Sequence, residues 1–173
     1  MEMKKYKILR KDKKVINGIV VYRIQNLRTG VKGGYIASEK NLSQEGYAWV
    51  GGNAIVYGNA RVYDNAKVYG SARVYGNAKI YEYAEVDGHA RVYGHAEVFG
   101  TAQVFNHAKV YGHAWVSGNL WISGNAKIYG DAIIPIPFNI QIEISKGFPH
   151  IVIDSPEKAT KLLEVLDTFN VVR

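Results

Sequence analysis

From Ala48 to Ile134 the chain keeps a period of six residues without one insertion, and that period constrains its fold more than any other feature. The repeats run VYGNAR, VYDNAK, VYGSAR, VYGNAK, IYEYAE, VDGHAR and on to IYGDAI. Val or Ile holds the first position at 50, 56, 62 and every sixth residue to Ile134. Ala holds the fifth from Ala48 to Ala132, with Leu120 as the exception. β-Branched side chains suit strands and fill an interior. Ala is small enough to face inward where the chain turns. The Gly-Asn, Gly-His, Gly-Ser and Asp-Asn pairs supply the corners, because Gly, Asn, Asp and His tolerate positive φ. A corner every six residues gives three sides per 18-residue coil, with coils stacked ~4.8 Å apart. The pattern therefore predicts an all-β chain. Its body, 42–134, is a single parallel β-helix of about five triangular coils, ~25 Å tall at that spacing.

The flanks read as caps, which a repeat array needs to cover its terminal core and strand edges. Residues 1–41 form one; within them Asn17-Gly18 between apolar runs predicts a β-hairpin. Residues 135–173 form the other. The frame breaks at Pro135 and Pro137, and FNIQIEIS and HIVID suggest two strands turning at Lys146-Gly147. Ser155-Pro156-Glu157 then opens a short helix striped by Leu162, Leu163, Leu166 and Phe169.

These repeats resemble the hexapeptide-repeat superfamily, whose members form left-handed parallel β-helices. The hand is implied by that resemblance; the period alone does not show it. The segment GGYIASEKNLSQEGYAWVGGNA, residues 33–54, also resembles uncharacterised hexapeptide-repeat proteins, many of them phage- or prophage-borne. That second likeness brings no activity with it and suggests a host-modulating role.

Positions 18 apart lie above one another, so the linear sequence becomes three surface maps. On the first side Tyr57, Tyr75, Tyr93, Tyr111 and Tyr129 form one outward column. Beside it run Ile55, Arg73, Arg91, Lys109 and Lys127, with no acid in either column. The other two sides mix signs: Arg61, Lys79, Glu97, Trp115 on one, Lys67, Glu85, Gln103, Trp121 on the other. A basic stripe interleaved with aromatics suits a polyanion, with cations meeting phosphates and rings offering stacking surfaces. Two further readings fit the same columns. Stacked tyrosines stabilise neighbouring strands, and Tyr and Arg are enriched at subunit interfaces.

His89 and His107 stack along one corner, and His95 and His113 along another. The superfamily resemblance implies an acyltransferase alternative: a trimer binding acyl-CoA between columns, with one of these histidines at a subunit boundary deprotonating the acceptor. Such enzymes interrupt their coils with a protruding loop, and this chain keeps its frame. As turn residues tolerating positive φ, the histidines also have a purely structural explanation. With no Cys and no carboxylate placed as a third ligand, no metal site is expected.

Charge is uneven. Residues 1–41 hold 11 Lys/Arg against 3 Asp/Glu, whereas 42–134 hold 7 of each. The basic excess favours anionic partners at long range, or guards a sheet edge against aggregation. The same charge argues against this segment covering the tyrosine face. A charged N-terminus, no run near the roughly 20 apolar residues of a membrane span and no cysteine point to a cytoplasmic, membrane-free protein. The sequence thus predicts a non-enzymatic interaction protein without a cofactor. It presents Arg73, Arg91, Lys109 and Lys127 with the five tyrosines to an anionic macromolecule, nucleic acid or a nucleic-acid-handling protein. The alternatives are the acyl-CoA-dependent trimer and a structural homo-oligomerisation module.

Overall fold

The computed structural model describes residues 4–131, 133–135, 141–144 and 149–152. Strands two or three residues long recur every six residues and pair in parallel with the strands 18 residues away. The result is a β-solenoid of about five turns with three sheets. On the first side the outward-inward pairs Ile55–Val56, Arg73–Val74, Arg91–Val92, Lys109–Val110 and Lys127–Ile128 stack in register. Backbone bonds climb from coil to coil: Arg73 N donates to Ala90 O at 2.9 Å, and Tyr75 N to Val92 O at 3.0 Å. Every inward Val or Ile from Val50 to Val116 is buried, as is every fifth-position Ala from Ala48 to Ala114. Leu120 is buried too, filling the corner that Ala fills elsewhere.

The corners need only one residue in the left-handed region. Gly58, Gly76, Gly88 and Gly94 have φ between 65° and 73°, and Asp64, Glu82 and Asn106 take the same conformation at 56°, 56° and 59°. All of these occupy the first turn position. The second-position residues, including the four histidines, are absent from the positive-φ set, which is the φ pattern of a type II′ turn. The reading of His as a positive-φ turn residue is therefore corrected, because the first residue alone reverses the chain.

At the N-terminal side, β1 (Tyr6–Ile16) and β2 (Ile19–Asn26) form a hairpin around Asn17 and Gly18, both at positive φ. β3 (Lys32–Ile36) pairs antiparallel with β2 and parallel with Ile55–Val56, so all three strands extend the first side's sheet. Close approach demands glycine there: a Cβ on Gly34 would sit 2.5 Å from Ala54 O. A single buried amide then locks the chain into the first coil. Asn41 Oδ1 accepts from the amides of Ala37 and Ser38, and its Nδ2 donates to Gly58 O and Ala60 O at 3.0 and 2.8 Å. Tyr6, also buried, donates its hydroxyl to Leu42 O at 2.7 Å.

Beyond the last coil, Ile133–Pro135 pairs in parallel with Trp115–Ser117, and Gln141–Ile144 with Leu120–Ile122. Pro149–Val152 returns antiparallel to Gln141–Ile144. The turn at 146–147 and the helix expected after Ser155 lie outside the described residues.

Candidate functional site

The parallel register sets the spacing of the site. Arg91 is the direct partner of Arg73 on one side and Lys109 on the other, and Lys109 pairs with Lys127. Four cations are thereby held in line at the ~4.8 Å inter-strand spacing, spanning ~14 Å. Like charges directly opposite each other destabilise a sheet. On the other two sides the same register places an acid against each lysine, although Arg61 also stacks on Lys79: Lys67 Nζ lies 3.3 Å from Glu85 Oε1, and Lys79 Nζ lies 2.8 Å from Glu97 Oε1. Glu97 also accepts from the Tyr81 hydroxyl at 3.1 Å. Among the described residues, no ion pair involves Arg73, Arg91, Lys109 or Lys127.

The tyrosines form a continuous stack. Ring centroids lie 5.0 Å apart for Tyr57 and Tyr75, 4.9 Å for Tyr75 and Tyr93, 4.9 Å for Tyr93 and Tyr111, and 5.3 Å for Tyr111 and Tyr129. Interplanar angles do not exceed 13°. The faces of Tyr75, Tyr93 and Tyr111 are thus occupied by one another. The column presents their edges and hydroxyls outward, so the expectation that these rings offer faces for stacking is corrected. The fixed strand spacing leaves no room for a base between them. The Tyr75 hydroxyl is held above its ordinary titration range by burial and then by Tyr57, while Arg91 and Arg73 pull it down. Burial leads the same upward shift at Tyr93, followed by Tyr75 and Tyr111, with Arg91 opposing. These phenols stay protonated at neutral pH and serve as hydrogen-bond donors beside the guanidinium groups.

The two ends of the tyrosine column differ. Tyr57 is only 6% exposed, because it clusters with Val21, Tyr35 and Ile55, against which Ile16 and Ala37 pack. Tyr129 is 60% exposed. The hairpin tip therefore covers the first rung, contrary to the argument from charge. The reason is local neutralisation: Asp12 lies 3.0 Å from Arg23 Nε, and the tip residues that make the contact are apolar. Arg23 also rests on a ring together with Lys14, with Arg23 Cζ 4.3 Å and Lys14 Nζ 4.1 Å from the Tyr35 centroid.

Alongside the cations runs the corner that precedes them, carrying Ser71, His89, His107 and Asn125. The two columns enclose an open groove of about 580 Å³, lined by these four residues with Arg73, Arg91, Lys109 and Lys127. The His89 and His107 rings stack at 5.1 Å and 4°. His95 and His113 stack at 4.8 Å on the opposite flank of the tyrosines, where Asn77 Nδ2 lies 3.2 Å from His95 Nε2. The structure thus brings one histidine pair to the cations and separates the other from them. Sequence reasoning considered the cations and the histidines apart and passed over Ser71 and Asn125. The signal was present as Ser-Ala-Arg, His-Ala-Arg, His-Ala-Lys and Asn-Ala-Lys at 71, 89, 107 and 125.

Among the described residues, no three of His, Cys, Asp and Glu gather to hold a metal ion, and no helix is long and apolar enough to cross a membrane. Trp115 is 48% exposed, and Trp121 packs edge-on against Phe105 at 6.2 Å. The family described as YdcK beta solenoid repeat matches residues 60–76, a stretch slightly shorter than one coil. The chain is thus similar to that family in its β-solenoid repeat. No curated protein matches the chain in sequence.

Proposed function

We propose that this protein is a non-catalytic binding element that holds a single-stranded nucleic acid along the first side of its solenoid. The observation that carries the reading is the column Arg73, Arg91, Lys109 and Lys127. It stacks in register with no acid partner among the described residues, while the stacked lysines of both other sides have one. On the other two sides Lys67 and Lys79 each meet an acid and Arg61 lies over the Tyr63 ring, whereas these four are left to meet phosphates. The protonated phenols of Tyr75 and Tyr93 add neutral donors beside them. Phosphate neutralisation releases counterions, so the contribution of such a column is electrostatic and tolerant of sequence.

The test is the salt dependence of binding to a single-stranded oligonucleotide. Four contacts predict a slope of log affinity against log salt near about −2.8, from about −0.7 per phosphate on single strands. That slope corresponds to a roughly fifty-fold loss between 50 and 200 mM salt. The R73E/R91E variant is expected to bind more weakly with a slope of about −1.4. Unchanged affinity and slope in that variant would remove the column from the interaction.

A further inference from the structure

The groove beside the cations has a second wall that the proposed function does not use. Resting on that proposal, we infer that His89 and His107 are direct anion-binding residues of the same groove, contacting the bound strand as imidazolium donors. Three observations carry this. The two rings are stacked, exposed, and line the groove shared with Arg73, Arg91 and Lys109. Their backbone does not need histidine, since the corner's positive φ belongs to Gly88 and Asn106. Asn and Ser occupy the equivalent position in the coils above and below, at Asn125 and Ser71.

The surroundings set the direction of the effect. The groups facing the imidazoles across the groove are the cations and the neutral Ser71 and Asn125. On the neighbouring side Asp87 precedes His89 by two residues, and its Oδ1 accepts from the Gly88 amide. An imidazolium donates a charged hydrogen bond to a phosphodiester where a neutral imidazole donates at most a neutral one, so affinity rises as pH falls through the range where imidazole titrates. Each imidazolium recruited is one more phosphate contact, so the salt slope steepens as well.

The experiment measures binding of the full chain to oligothymidylate without terminal phosphates, a probe that does not itself titrate between pH 5.5 and 8. The unaltered protein is expected to bind roughly ten-fold more tightly at pH 5.5, as the two imidazoles charge. Its salt slope is expected to be steeper by about 1.4. H89N/H107N should lose both changes. H95N/H113N, altered on the far flank, should respond like the unaltered protein. A pH response surviving in H89N/H107N, or lost in H95N/H113N, overturns the inference while leaving the cation column intact. Absence of binding by the unaltered protein at either pH overturns both.

Discussion

Replacing Arg91 with Glu should make this protein more stable and a poorer binder. Arg91 is sandwiched in register between Arg73 and Lys109, so the substitution turns two like-charge rungs into two opposite-charge rungs. The fold accommodates that arrangement at Lys67–Glu85 and Lys79–Glu97. Cross-strand charge pairs contribute about 0.2–1 kcal/mol each, and exposed ion pairs stay at the low end of that range. Reversing two rungs should therefore stabilise the solenoid by about 1 kcal/mol at low salt, a rise in Tm of about 2–4 °C for a chain of this size. The gain should vanish near 1 M salt, where the screening length falls to about 3 Å. Oligonucleotide affinity should fall in the same variant, with a salt slope shallower by at least about 0.7. Thermal melts at low and high salt, paired with binding isotherms, measure both effects. A lower Tm at low salt would show that the stacked cations serve the fold, and the reasoning behind the proposed site would fail. Stability sacrificed at a functional site is the expected trade-off if it succeeds.

Asn41→Ala should destabilise the protein by about 2–4 kcal/mol in urea unfolding, because it strands Gly58 O, Ala60 O and two amides in a buried site. A loss below 1 kcal/mol would mean that water replaces the amide. Tyr93→Ala breaks two ring stacks at 4.9 Å and should cost about 1–3 kcal/mol while keeping the unaltered salt slope. Loss of the slope would show that the tyrosine stack also holds the cation column in position. Tyr63, Tyr75 and Tyr93 all titrate above their ordinary value, chiefly through burial. Their contribution to stability should be complete below about pH 10, where unfolded tyrosine titrates, and lost as pH rises through their higher folded values. Phenolate absorbance should therefore lag in the native protein relative to the protein in urea. Coincident curves would contradict the buried stack.

The six-residue period determined the coil, its inward Val and Ala, and the membership of every outward column, because each is set by position modulo 18. That is why the cation column and the tyrosine column were legible from the sequence, down to the individual residue. The corner residues two places before each cation, Ser71, His89, His107 and Asn125, are legible by the same count. Other features required the tertiary structure. The hairpin covers Tyr57 through apolar contacts of Ile16 and Val21 with Ile55 and Tyr57 at the start of the solenoid, and no periodicity encodes a contact between the flank and the repeats. Overall charge argued the wrong way there, because one carboxylate, Asp12, neutralises Arg23 where it matters. The absence of free faces on Tyr75, Tyr93 and Tyr111 follows from ring orientation at the fixed spacing of parallel strands, which composition does not reveal. Which turn residue takes positive φ was decided by the geometry of the corner, and it freed His89 and His107 from a backbone role. Sequence assigned each side chain to a column; packing decided which columns share a groove and which atoms of them a partner can reach.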